Sequence, residues 1–283
     1  MKPRSKLIVV VALLAIVATV TFAQRRYQRR SADRAGVPDW TNEVGFEKDV
    51  FTFVRIHYSS TGRGGWGGWG GDRRWYIDAP DADLNLAYRL QQMTSLKVYP
   101  DEKNFELTSP ELLDFPFIYI VEPGWLEFTE DEVAALKKYL LNGGFLMVDD
   151  FWGRYQWQNF YEQIKRVFPD REPQELPMDH PIFHSVFDLK QTKNEMQIPA
   201  IDIGRHAGQT GVTWEYHEGE ACREVHFKGI FDDKGRMMVF ICHNTDNGDG
   251  WEREGEDEYY FREFSEKKAY PLAINAIFYT MTH

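Results

Sequence analysis

The chain carries only two cysteines, Cys222 and Cys242, among 283 residues, which excludes a disulfide framework and leaves one bridge open. It also lacks positive charge. Lys and Arg number 33 against 44 Asp and Glu, and a net charge of −11 removes the electrostatic basis for nucleic-acid binding. No serine or cysteine sits on a glycine-flanked turn after a hydrophobic strand, so a nucleophile elbow is missing. Internal repeats are absent, and one long apolar run, Leu7 to Val20, stands at the start. Apolar side chains are plentiful: 43% of the chain is hydrophobic, with 9 Trp and 20 Phe. That is enough for one large α/β core and too much for a disordered chain.

Residues 1–23 follow the order of an export segment: Lys2, Arg4 and Lys6, then the apolar run, then Thr21-Phe22-Ala23 as a small-residue cleavage site. A cleaved signal peptide and an uncleaved anchor through residues 7–23 both fit. Arg25, Arg26, Arg29 and Arg30 directly after the run blur the choice. Either way the remainder is expected in the periplasm or on the inner membrane facing it. Residues 24–45 read as a polar linker and 46–283 as one α/β domain.

The most legible stretch is Phe117 to Asp150. Phe117–Val121 is a continuous apolar run of strand length, expected to be covered on both faces. Thr129 and Glu132 form a capping box, and Val133, Leu136 and Leu140 give a helical stripe. Asn142-Gly143-Gly144 ends that helix, and a second strand follows from Phe145 to Val148. Strand, helix, strand is a βαβ unit, whose ligands bind beyond the carboxyl ends of the strands. Around it the pattern predicts a strand within 50–58, a helix from Asp81 or Asp83 to about Thr94 burying Leu86, Leu90 and Met93, and a short strand over 96–99. It further predicts a helix after Asp150, a hairpin about Asp232–Gly235, a solvated acidic loop over 252–258 and a last helix opening near Pro271.

The tract Thr61–Asp72 contains Gly62-Arg63-Gly64-Gly65-Trp66-Gly67, a literal dinucleotide fingerprint, but no helix opens at its third glycine. A flexible loop is the better reading, with Trp66 and Trp69 available to stack on a ligand.

Asp149 and Asp150 end one buried strand, while His243, Asn244 and Asp246 end another; Glu122 ends a third. Carboxylates and an imidazole at neighbouring strand ends could hold a divalent metal or act as an acid–base pair. The metal set expected here is Asp149, Asp150, His243 and Asp246 in one pocket. The competing reading is structural: the aspartates cap the next helix or loop and His243 bonds to backbone. Asn244–Gly250 is rich in oxygen ligands but does not match a calcium loop in any register. Arg55, His57 and His180 are weaker candidates.

Several segments together, FTFVRIHY, Asp78-Ala79-Pro80-Asp81-Ala82-Asp83-Leu84-Asn85-Leu86, NGGFLMVDDFWG, DHPIFH and HNTDNGDGWE, resemble the bacterial domain-of-unknown-function family four-one-five-nine. His180-Pro181-Ile182 with Asn194-Glu195-Met196 is similar to the ThuA-like proteins of the class I glutamine amidotransferase-like superfamily. The resemblance implies a flavodoxin-like three-layer sandwich with a mainly parallel sheet. It also implies export or membrane anchoring, and envelope work beside MoxR-type ATPases and von Willebrand-factor-type proteins. Glu122-Pro123-Gly124 occupies the turn where an amidotransferase of this fold carries its cysteine, so glutamine hydrolysis is not expected. Two functions remain: a non-catalytic envelope module binding a partner protein or glycan, or a metal-assisted hydrolase of an envelope carbohydrate or peptide.

Overall fold

The computed structural model describes residues 36–43, 45, 49–60 and 74–283. The expected export segment and the tract holding Trp66 and Trp69 lie outside these residues. The fold is carried by the unit Asn42–His283. Among the described residues no helix is long and apolar enough to cross a membrane.

The domain is α/β, built on a seven-stranded, mostly parallel sheet. Its strands are β1 (Val54–His57), β2 (Lys103–Glu106), β3 (Phe117–Val121), β4 (Phe145–Asp149), β5 (Gln174–Glu175), β6 (His226–Phe231) and β7 (Met237–His243). They lie in the order β2-β1-β3-β4-β7-β6-β5. The first five run parallel to one another, while β6 is antiparallel to both its neighbours. The hairpin expected about Asp232–Gly235 joins β6 to β7. From β1 the next strand lies on one side, and from β3 it lies on the other, so the order reverses between these two.

Period-2 alternation sorts the strand residues onto two covered faces. Val54, Ile56, Ile118, Ile120, Leu146 and Val148 pack into a core with helices α2 (Glu130–Leu141) and α3 (Gly153–Val167). Phe53, Phe117, Tyr119 and Phe145 point the other way, where their rings meet Trp251 and Tyr279. Those two rings belong to α4 (Asn247–Glu252) and α5 (Tyr270–Thr282). Helix α1 (Asp81–Met93) joins them through Asn85, whose Nδ2 donates to the Trp251 carbonyl at 2.8 Å.

The capping box forms as its spacing predicts. Thr129 Oγ1 accepts from Glu132 N, and the Glu132 carboxylate accepts from Thr129 N. Such a cap contributes about 1 kcal/mol.

Four local expectations need correction. Asp81 and Asp83 do not cap α1, which opens after Pro80 without a side-chain cap. Asp83 instead serves a buried ion pair. Met93 is exposed. The stretch 96–99 contributes a single bridge, Val98 to Phe51, and the strand beside β1 is the polar segment Lys103–Glu106. Within 252–258, Glu252 is half-buried against Arg253, and Glu254 pairs with Arg89. Cys222 and Cys242 are separate, buried thiols.

Candidate functional site

Four loops leave the carboxyl ends of four adjacent parallel strands, and each holds one residue in left-handed backbone geometry. Asp78 (φ 63°) follows β1, Glu122 (φ 46°) follows β3, Asp150 (φ 55°) follows β4, and Asn244 (φ 61°) follows β7. These are the only non-glycine residues with positive φ among the described residues. Left-handed geometry costs an L-residue about 1–2 kcal/mol, which glycine would avoid, and such strain gathers at functional sites. Three of the four, Asp78, Glu122 and Asp150, line one cavity of about 460 Å³.

Asp246 faces the same cavity, and oxygens of Asp78, Asp150 and Asp246 lie within 4.8 Å of one another. Asp78, Asp249 and Glu252 form a second group of the same tightness. Burial raises the carboxyls of Asp78, Asp150 and Asp246 well above the usual range, and the neighbouring acids push in the same direction. Asp249 is raised and Glu252 reaches about 7, again chiefly through burial.

Each acid is placed by its local structure. Asp150 Oδ1 accepts from Trp152 Nε1 at 2.9 Å. Asp246 is the N-cap of α4, with Oδ1 accepting from Asp249 N at 2.7 Å. Asp78 is held from beneath. The fully buried Arg55 guanidinium donates Nη1 to the carbonyls of Trp75 (3.2 Å) and Ile77 (2.9 Å), while Nε meets Asp83 Oδ2 at 3.0 Å. Thus Arg55 in β1 tethers the loop that carries Asp78. The Asp78 carboxylate also lies on Gly248: a Cβ there would stand 2.1 Å from Oδ2. That oxygen is shielded from solvent and has no hydrogen-bond partner among the described residues.

The cavity's other acids have cations of their own. Arg74 Nη1 lies 2.8 Å from Glu122 while its guanidinium covers the Trp125 ring. His217 Nε2 lies 2.5 Å from Glu215, which raises the imidazole. Asp202 pairs with Arg205.

The residues singled out from sequence are thus divided. Asp150, Asp246 and Glu122 line the cavity. Asp149 does not; its carboxylate is spent on the start of α4, accepting from Asn247 N (2.7 Å), Asn247 Nδ2 (2.6 Å) and Gly248 N (3.1 Å), with Tyr119 Oη at 3.2 Å. Burial still pushes it up to about 7. His243 faces α3: its Nε2–H donates to the Gly153 carbonyl at 2.9 Å, and the ring packs on Phe151 and Trp157. Burial lowers it to about 3, so it is a neutral structural residue. Asn244 staples three segments, accepting from Gly153 N and donating to the carbonyls of Ala221 and Glu224. The four-residue set therefore does not share one pocket: only Asp150 and Asp246 do. Of the weaker candidates, Arg55 supports the site from the core and His57 packs on Trp75 at the edge. His180 caps the turn at Pro181–Phe183. Trp66 and Trp69 lie outside the described residues.

Sequence reasoning passed over Asp78, Asp249, Glu252 and Arg253 as site residues. The signal for Asp78 was present, in the run that opens α1, but the acids it meets come from two other strand ends, those of β4 and β7. Arg253 Nε lies 3.3 Å from Asp249 and 2.8 Å from Glu252, while its Nη1 lies 3.3 Å from the exposed Glu256, so one guanidinium is divided among three acids.

No curated protein matches the sequence. A family model described as a domain of unknown function (DUF4159) matches residues 52–281, which spans all seven strands and both carboxylate groups, and the chain belongs to that family.

Proposed function

We propose that this chain is an exported domain of the bacterial cell envelope that binds a cationic ligand, foremost a divalent metal ion, in the cavity at the carboxyl edge of its sheet. The observation that carries this reading is the convergence of Asp78, Asp150 and Asp246 within 4.8 Å without a cation of their own among the described residues. Three like charges at that distance cannot all ionise in a desolvated site, so they hold protons or a cation. Carboxylate oxygens alone suit a hard ion such as Mg²⁺, Ca²⁺ or Mn²⁺. The basic, apolar, small-residue order of residues 1–23 supports export, with membrane attachment through residues 7–23 where that segment is retained. The order β2-β1-β3-β4-β7 of the parallel strands supports a flavodoxin-like layout of the class I glutamine amidotransferase-like, ThuA-like kind. On this reading the domain is a binding module that meets an envelope protein or glycan through the bound ion.

Calorimetric titration of chelator-treated full-length protein with Mn²⁺ or Ca²⁺ tests the reading. Saturable binding that Asp150→Asn weakens at least tenfold is expected. No binding of any divalent ion to a protein that melts cooperatively overturns it. A reporter active only in the cytoplasm, fused after His283, should be silent; activity would overturn the export part alone.

A second reading is favoured by one feature. His217, held by Glu215, lines the same cavity as Asp78, Asp150 and Asp246, which places an imidazole where a metal-bound water could be activated. This is the arrangement of a metal-assisted hydrolase acting on an envelope carbohydrate or peptide. Product release from cell-wall fragments by the Mn²⁺-loaded protein, lost in His217→Ala with ion binding intact, would decide for it.

A further inference from the structure

Charge in and behind the cavity does not balance with one ion. Glu122, Glu215 and Asp202 each have a basic partner, Arg74, His217 and Arg205. That leaves five carboxylates, Asp78, Asp150, Asp246, Asp249 and Glu252, against the single guanidinium of Arg253 among the described residues, which also meets the exposed Glu256. With all five ionised, at least four negative charges remain. One divalent ion neutralises at most half of them.

The five acids are not one crowd. They form two groups of three, each with its ligand oxygens within 4.8 Å, and Asp78 is the member common to both. A carboxylate shared between two such groups has the position of a bridging ligand, one oxygen to each ion. An independent observation points the same way. Asp78 Oδ2 is shielded from solvent and accepts no hydrogen bond among the described residues, although an unpaired buried carboxylate oxygen costs at least about 1–3 kcal/mol. The tether that fixes it makes no use of its acid: Arg55 holds the carbonyls of Trp75 and Ile77, and Asp78 offers its own carbonyl to Ala82 N of α1. Backbone contacts thus position the residue, and the carboxylate is left over. Glu252 Oε2 is also shielded; it lies 2.8 Å from Arg253 Nε yet makes no well-formed hydrogen bond.

We infer that the site holds a pair of divalent cations, one on Asp78, Asp150 and Asp246 and the other on Asp78, Asp249 and Glu252, with Asp78 bridging them. Two ions neutralise four of these charges, where one ion neutralises two. The inference rests on the cation-binding reading above and names its stoichiometry and its bridging residue. It also defines the ligand class: paired ions with open positions toward the cavity receive an oxyanion or a vicinal polyol by two oxygens at once. The outer ion is the one bound through Asp150, because Asp150 lines the cavity and Glu252 does not.

The test is equilibrium dialysis of chelator-treated, full-length protein against Mn²⁺, with metal analysis and electron paramagnetic resonance of the loaded protein. Two Mn²⁺ per chain with an exchange-coupled spectrum are expected. Glu252→Gln should bind one Mn²⁺ and show an isolated six-line spectrum, and Asp78→Asn should lose both ions. One Mn²⁺ per chain in the wild type, unaltered by Glu252→Gln, overturns the pair and leaves the single-cation reading standing. Two uncoupled ions overturn the bridge. No bound ion overturns both readings. Should either variant fail to fold, the wild-type stoichiometry and spectrum decide alone.

Discussion

Asp149 and Asp150 are consecutive at the end of β4, yet their carboxylates do opposite work. Asp149 binds three donors at the start of α4, and Asp150 faces the cavity with one oxygen on Trp152. Replacing Asp149 by Ala strands three buried N–H groups, each costing about 1–3 kcal/mol and adding less than fully, so a loss of about 3–5 kcal/mol is expected. For a domain of this size that lowers the melting temperature by roughly 10 °C. Asp150→Asn keeps the shape and the acceptor for the indole while removing a repelling charge. The ion-free variant should melt no lower than the wild type and bind cations at least tenfold more weakly. Paired thermal melts and Mn²⁺ titrations check this; an Asp150→Asn protein that melts far lower would make Asp150 a structural cap.

This division marks how far the sequence could be read. Phe117 to Asp150 was legible because strand, capped helix and strand each carry a local signal: apolar continuity, the Thr129–Glu132 box and the Gly143-Gly144 stop. The carboxyl edge was legible from topology. Which carboxylate turns into the cavity was not, because α4 claims Asp149 through backbone donors 98 residues away in sequence. His243 likewise sits at a strand end but belongs to the α3 side. Lys103–Glu106 was missed because an edge strand with polar residues lacks both apolar continuity and clean alternation. Asp78 lies beyond a long connection from β1, and the side chains that tie its segment back to the sheet, Arg55 to the Trp75 and Ile77 carbonyls and Arg74 to Glu122, are invisible as tethers in sequence.

The raised carboxyls give stability a definite pH dependence. Asp149 and Glu252 titrate near 7 in the folded protein, against ordinary values near 4, and Asp78, Asp150 and Asp246 are shifted in the same direction. The folded state therefore holds protons that the unfolded chain releases. Its stabilisation is fully present below about pH 4 and is lost as pH rises through about 7. Glu175, lowered to about 2, acts in the opposite sense outside this window. His243, lowered to about 3, opposes within it, because the unfolded imidazole gains a proton below about 6.5. One imidazole is outweighed by the five raised carboxyls. In chelator, the melting temperature should fall from pH 5 to pH 7.5. Saturating Mn²⁺ should raise it, and by more at pH 7.5, since the ion binds the deprotonated acids. A flat profile in chelator would show that the acids are paired in another way.

Arg55 and Asp83 are both fully covered, so breaking the pair exposes a full desolvation cost. Arg55→Met should destabilise by about 3–5 kcal/mol because Asp83 is left charged and alone. Adding Asp83→Leu should recover much of that loss. Ion binding should not recover with it, because the carbonyls of Trp75 and Ile77 still lack their donor and Asp78 is no longer fixed. Denaturant melts and Mn²⁺ titrations of both variants separate the two roles. Full binding in the stable double variant would show that Arg55 serves the core alone.

Gly248 gives the sharpest separation of fold from site. It lies in the first turn of α4, where its φ is not in the left-handed region, so alanine fits the backbone and favours the helix by up to about 1 kcal/mol. Its Cα nevertheless supports Asp78: an added Cβ would meet Oδ2 at 2.1 Å and the carboxylate carbon at 3.1 Å. That carboxylate has no hydrogen bond to break at Oδ2, so it turns away at little cost to stability. The turn removes the one ligand common to both acid groups. Gly248→Ala should therefore melt within about 1 kcal/mol of the wild type while binding Mn²⁺ at least tenfold more weakly, with loss of the coupled spectrum. Undiminished Mn²⁺ binding in that variant would mean that Asp78 is not a ligand. A loss above about 3 kcal/mol would mean that Asp78 cannot move, and that its carboxylate is part of the packing against α4.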